Sequence, residues 1–118
     1  MKNTTALLAL ILTATSASAT EYTRPNASLI LTPDGHNMAF SINSSYGETT
    51  GVCNMEGVAQ TVPPMSGQKG RWVWSDNNSQ CVAVISEIRS GLVEITTKGC
   101  DGYCGLSAAG SMDGRYHQ

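Results

Sequence analysis

Ala27-Ser28-Leu29-Ile30-Leu31-Thr32-Pro33-Asp34-Gly35-His36-Asn37-Met38-Ala39-Phe40-Ser41-Ile42-Asn43 is the stretch that decides the fold. Its last third alternates, with Met38, Phe40 and Ile42 on one face, the period of a half-buried strand. Ala27 to Leu31 is an apolar run of strand length. Between the two lies Thr32-Pro33-Asp34-Gly35, where a proline fixes φ and a glycine permits a reversal. Two strand patterns across a turn read as an antiparallel hairpin.

The same pattern continues toward the C-terminus. Val52 to Val62 reads as a strand in which Cys53, Met55, Gly57 and Ala59 share a face. Pro63-Pro64-Met65-Ser66-Gly67-Gln68-Lys69-Gly70 has no period and reads as a loop. Arg71-Trp72-Val73-Trp74-Ser75 follows, with both tryptophans on one side of a strand. Asp76-Asn77-Asn78-Ser79 is a polar turn. Cys81 to Ile88 is the most apolar strand, and Val82-Ala83-Val84-Ile85 predicts burial on both faces. Ser90-Gly91 then turns the chain into Leu92–Thr97. In the tail, Asp113-Gly114 is a hairpin-turn signal. There is no helical repeat, tandem repeat or second domain. The expected fold is mostly β: a small antiparallel barrel or sandwich of about six to eight strands with two disulfides.

The N-terminus has a different character. Lys2 gives a short positive region, Ala6 to Leu12 an apolar one, and Ala17-Ser18-Ala19 the small residues of a cleavage site. Residues 1–19 read as a signal peptide, and residues 20–118 as a single disulfide-bonded β domain. The apolar run is shorter than the roughly 20 residues a membrane-spanning helix needs. The expected location is the periplasm or the exterior. Without Lys2, six basic residues face nine acidic ones, a net charge of −3. That balance argues against nucleic acid, whose phosphates require a dense basic patch. It also argues against attraction to anionic membrane surfaces.

The four cysteines, Cys53, Cys81, Cys100 and Cys104, form an even set in an exported chain, which implies two disulfides. Three connectivities are open, and the favoured one joins Cys53 to Cys81 and Cys100 to Cys104. Cys-x3-Cys also occurs in zinc sites, but two histidines and an oxidising compartment count against a metal.

Catalytic chemistry finds little to use. His36 sits beside the Asp34-Gly35 turn and His117 next to the last residue, so both read as surface positions. No Gly-x-Ser-x-Gly context exists to activate a serine. Glu48, Glu56, Glu87 and Glu94 are available as a carboxylate pair, but each reads as a solvated strand position. No glycine-rich phosphate loop leads a strand into a helix. The chain is therefore not expected to be an enzyme, nor to hold a cofactor or metal.

Binding has more to work with. In a chain with 6% aromatic residues, Trp72 and Trp74 are the largest apolar groups, and Arg71 adjoins them. Aromatic side chains and arginine dominate interface hot spots. The loop residues Met65, Ser66, Gly67, Gln68 and Lys69, flanked by prolines, form the second candidate surface. Core filling by the tryptophans is the competing expectation.

Cys53-x3-Gly57-x-Ala59, Cys81 and Cys100-Asp101-Gly102-Tyr103-Cys104-Gly105, followed by Gly114-x-Tyr116, resemble a group of small exported proteins of Gram-negative bacteria. The resemblance covers roughly residues 40 to 116 and implies the cysteine framework, not an activity. The chain is also loosely similar to periplasmic lysozyme inhibitors, small disulfide-linked β-barrels, some of which insert a Ser-Gly-x-x-Tyr loop into the enzyme's cleft. Ser66-Gly67-Gln68-Lys69 is followed here by Gly70, so the tyrosine is missing. Together these readings predict an exported module that binds another protein, as an inhibitor or immunity factor against a cell-wall hydrolase or toxin. The alternative is an envelope-associated structural protein that binds peptidoglycan or self-associates.

Overall fold

The computed structural model describes residues 18–47 and 51–118. Apart from Ser18 and Ala19, the signal-peptide reading lies outside these residues, as does Glu48. Eight strands run in order: β1 (Thr20–Arg24), β2 (Ala27–Asp34), β3 (Asn37–Ser45), β4 (Val52–Val62), β5 (Gly70–Ser75), β6 (Val82–Arg89), β7 (Leu92–Lys98) and β8 (Gly114–His117). Each pairs antiparallel with the next, and β8 pairs back with β1, closing the barrel. Of the two architectures open to the sequence, the chain adopts the barrel.

Alternation sets which side chains fill it. Leu29 and Leu31 of β2 sit opposite Ile42 and Phe40 of β3, and all four are buried. Ile42 and Phe40 in turn face Met55 and Gly57 of β4, so the register carries one apolar layer across three strands. Cys53, Met55 and Ala59 point inward as expected. In β6 the inner residues Ala83 and Ile85 are wholly buried, whereas Val82 and Val84 on the outer face are half-buried. Polar residues such as Ser41, Asn43, Asn54 and Glu56 occupy outer positions. An apolar interior with a polar wall is the reverse of a membrane-spanning barrel. Among the described residues, no helix is long and apolar enough to cross a membrane.

Three expectations need correction. β2 runs through Pro33 to Asp34, which pairs with Asn37, so the reversal is confined to Gly35 and His36. Asp113-Gly114 is not a hairpin turn: Gly114 begins β8, and the Asp113 carboxylate accepts bonds from the Thr97 backbone N–H (3.0 Å) and hydroxyl (2.6 Å).

The third correction concerns the disulfides, which join Cys53 to Cys104 and Cys81 to Cys100. The cause lies in the sheet. β4 pairs with β5 only from Gln60 to Val62, leaving a gap between the first half of β4 and the end of β5. The segment after β7 enters this gap as a one-turn 3-10 helix, Asp101–Tyr103. That turn delivers Cys104 opposite Cys53 in an isolated bridge, while Cys100 reaches Cys81 just ahead of β6. Gly105 N–H donates to the Val52 carbonyl at 2.9 Å. A second 3-10 turn, Leu106–Ala108, leads to residues that seal this end of the barrel. Ala108, Ser111 and Met112 are all buried there, and Ser111 Oγ lies 2.8 Å from Ser44 Oγ. Arg24 Nη1 donates to the Ser111 carbonyl at 2.9 Å and its guanidinium lies 5.7 Å from the Tyr116 ring centre.

Candidate functional site: the open end of the barrel

One end being sealed, the topology collects the remaining connections at the other. The β2–β3 turn, the β4–β5 loop, the β6–β7 turn at Ser90-Gly91 and the start of β1 all emerge there. The β4–β5 loop carries the residues singled out in the sequence. Met65 to Gln68 form a tight turn in which Gln68 N–H donates to the Met65 carbonyl at 3.0 Å. The Gln68 side-chain oxygen accepts from Met65 N–H, also at 3.0 Å. Gly67 takes the third position with φ 83°, the left-handed conformation that a type II turn demands. Lys69 anchors the turn to the next hairpin: its N–H donates to the Glu87 carbonyl at 2.7 Å and its ammonium to Ser90 Oγ at 3.2 Å. Met65 is left 58% exposed at the tip. The structure therefore brings Met65, Ser66, Gly67, Gln68 and Lys69 together in one braced turn.

It separates the other three candidates. Trp72 and Trp74 face inward, so Arg71 between β4 and β6 faces the outer wall, opposite Val62 and Ser86. Trp74 packs edge-on against Phe40 (5.5 Å) and Tyr103 (5.9 Å), and its indole nitrogen lies over Gly57. It is half-buried against the core and also borders an outer cavity with Val58 and Val73. Trp72 sits at the rim with its ring against Gly70, where it forms one wall of a cavity of about 120 Å³.

Tyr22, Leu31, Met38 and Val93 also line this cavity, together with a carboxylate that the sequence reading left on the solvated surface: Glu87. Glu87 continues the inward face of Ala83 and Ile85, and the β-bulge between Glu87 and Arg89 ends that run. Among the described residues it has no ion-pair or side-chain hydrogen-bond partner. Burial, followed by the Glu87 charge, pushes the Tyr22 hydroxyl above the usual phenol range. The signal for Glu87 was in the sequence: it shares parity with Ala83 and Ile85. Glu56 is exposed on the outer wall, and Glu94 lies 3.9 Å from Arg115 on the outside. His36 and His117 are both exposed. All four cysteines are consumed by disulfides, so none remains as a thiolate nucleophile.

No protein-family model matches the chain, and neither a curated protein nor a solved structure matches it.

Proposed function

We propose that this protein is a recognition module of an oxidising compartment, which binds a protein partner through the open end of its barrel. The partner class is a cell-wall hydrolase or toxin, and the action is inhibition or immunity. The observation that supports this reading is the Met65–Gln68 turn. Two hydrogen bonds and a glycine fix the backbone that carries the exposed methionine, so little backbone entropy is lost on binding, and preorganised apolar tips make efficient anchors. The two disulfides fit delivery to an oxidising compartment, in keeping with the signal-like N-terminus.

The test is calorimetric titration of the oxidised protein against purified lysozymes and cell-wall amidases, with enzyme inhibition read in parallel. One saturable complex is expected, weakened roughly tenfold by Met65→Ala and by the Ser66→Ala, Lys69→Ala pair, with the melting temperature unchanged. Loop variants that bind like the parent would remove the turn from the interface. The envelope-structural alternative, in its self-associating version, predicts oligomers in sedimentation velocity of the protein alone. Its peptidoglycan version predicts co-sedimentation with purified sacculi.

A further inference from the structure

We infer that the cavity at the open end is a binding site for an alkylammonium group, with Glu87 as the counter-charge and Trp72 as the aromatic wall. Eight-stranded barrels have interiors just wide enough to be filled by side chains or to hold one small ligand. Here the filling stops short of the mouth and leaves about 120 Å³. An engineered cavity of about 150 Å³ accepts benzene, so this one accommodates about five heavy atoms. Four carbons and a nitrogen fill it.

The chemistry follows from the walls. Leu31, Met38, Val93 and the Tyr22 and Trp72 rings favour an aliphatic body. Glu87 facing into the same space disfavours an anion and leaves a neutral ligand beside an unmatched carboxylate. A primary ammonium donates to that carboxylate and is attracted by an indole face. The Lys69 ammonium at the rim does not serve, being directed to Ser90 Oγ. A guanidinium with its stem exceeds the available volume. The group can come from a lysine side chain of a partner or from a free small amine. Either way the inference does not depend on the Met65–Gln68 turn.

The test is an NMR titration of the ¹⁵N-labelled, oxidised domain 20–118, followed at the Trp72 indole N–H and the Tyr22 and Glu87 amides. With n-butylammonium, saturable shifts with Kd on the order of 1 mM are expected for a ligand this small. n-Butanol, of nearly the same shape without the charge, binds at least about tenfold more weakly, as does n-butylammonium to Glu87→Gln. Nα-acetyl-lysine methylamide separates the two sources. Binding equal to n-butylammonium assigns a lysine side chain; binding of the free amine alone assigns a small free amine. Equal affinity for n-butanol and n-butylammonium, or shifts that never saturate, would overturn the inference. The n-butanol comparison decides the matter on the parent protein even if Glu87→Gln fails to fold.

Discussion

The phenolic hydroxyl of Tyr103 donates to the carboxylate of Asp76, tying the segment that fills the β4–β5 gap to the turn that ends β5. This bond, followed by the Asn78 backbone N–H at 2.8 Å, holds the Asp76 carboxyl below its usual range. A lowered carboxyl pKa contributes stability above the ordinary value of about 3.9 and loses it as pH falls through the depressed value. Tyr103→Phe should therefore melt below the parent at pH 7, and the difference should narrow below about pH 4. A difference that stays constant from pH 7 to pH 2 would mean that the pair makes no such contribution.

Cleavage of the non-reduced protein with trypsin and chymotrypsin should yield Cys53 linked to Cys104 and Cys81 linked to Cys100. A cut after Tyr103 separates the two C-terminal cysteines, so the pairings are distinguishable by mass. On the loop-entropy account, replacing Cys53 and Cys104 by alanine costs roughly 4 kcal/mol, and replacing Cys81 and Cys100 roughly 3 kcal/mol. Each pair should lower the melting temperature by on the order of 10–20 °C. A larger loss from the Cys81, Cys100 pair would reverse that order.

Gly57→Ala tests the packing of Trp74. A Cβ at Gly57 would lie 2.4 Å from the indole nitrogen and 2.9 Å from Cε2, so the ring must shift. Overpacking of this kind costs about 1–3 kcal/mol. Combined with Trp74→Phe, which vacates that space, the cost of Gly57→Ala should shrink, giving a coupling energy of about 0.5–3 kcal/mol. Strictly additive unfolding energies would place the indole elsewhere.

Tyr116 is wholly buried, its hydroxyl donating to the Met112 carbonyl at 2.7 Å. Burial pushes its pKa up to about 12, with the Arg24 charge pulling the other way. The unfolded chain ionises near pH 10, so the stability linked to the neutral phenol is intact below pH 10 and is lost towards pH 12. Tyr116→Phe should flatten this alkaline slope while costing about 1 kcal/mol at neutral pH through the unpaired Met112 carbonyl. Absorbance titration at alkaline pH should lose its last tyrosine step in this variant. If that step remains, another tyrosine carries the shift.

Much of this architecture is legible in period alone, and the failures have physical causes. β4 was read at its observed bounds because alternation of Cys53, Met55 and Ala59 runs uninterrupted to the prolines at 63 and 64. β1 and β8 escaped because each contributes a single buried side chain, Tyr22 and Tyr116, too little to establish a period. Yet these two close the barrel, through the Thr23–His117 pair. The disulfide pairing depends on which strands fail to touch, and no local pattern reports a gap between β4 and β5. Parity put Trp72 and Trp74 on one face, but only the barrel's length distinguishes a residue at the rim from one in the core. Glu87 was misread for the complementary reason: its type outweighed its position.

The nested order of the two bridges bears on how the chain matures. A polypeptide emerging amino-end first presents the thiols of Cys53 and Cys81 together well before Cys100 or Cys104 follows. The earliest bond an oxidant can form is thus a non-native one, and neither correct bond is available until Cys100 has arrived. Native molecules accumulate only if the first two thiols stay reduced that long, or if a premature Cys53–Cys81 link is undone by exchange with a later thiolate. The pairing therefore makes native yield sensitive to the compartment's capacity to reshuffle disulfides as well as to its capacity to make them.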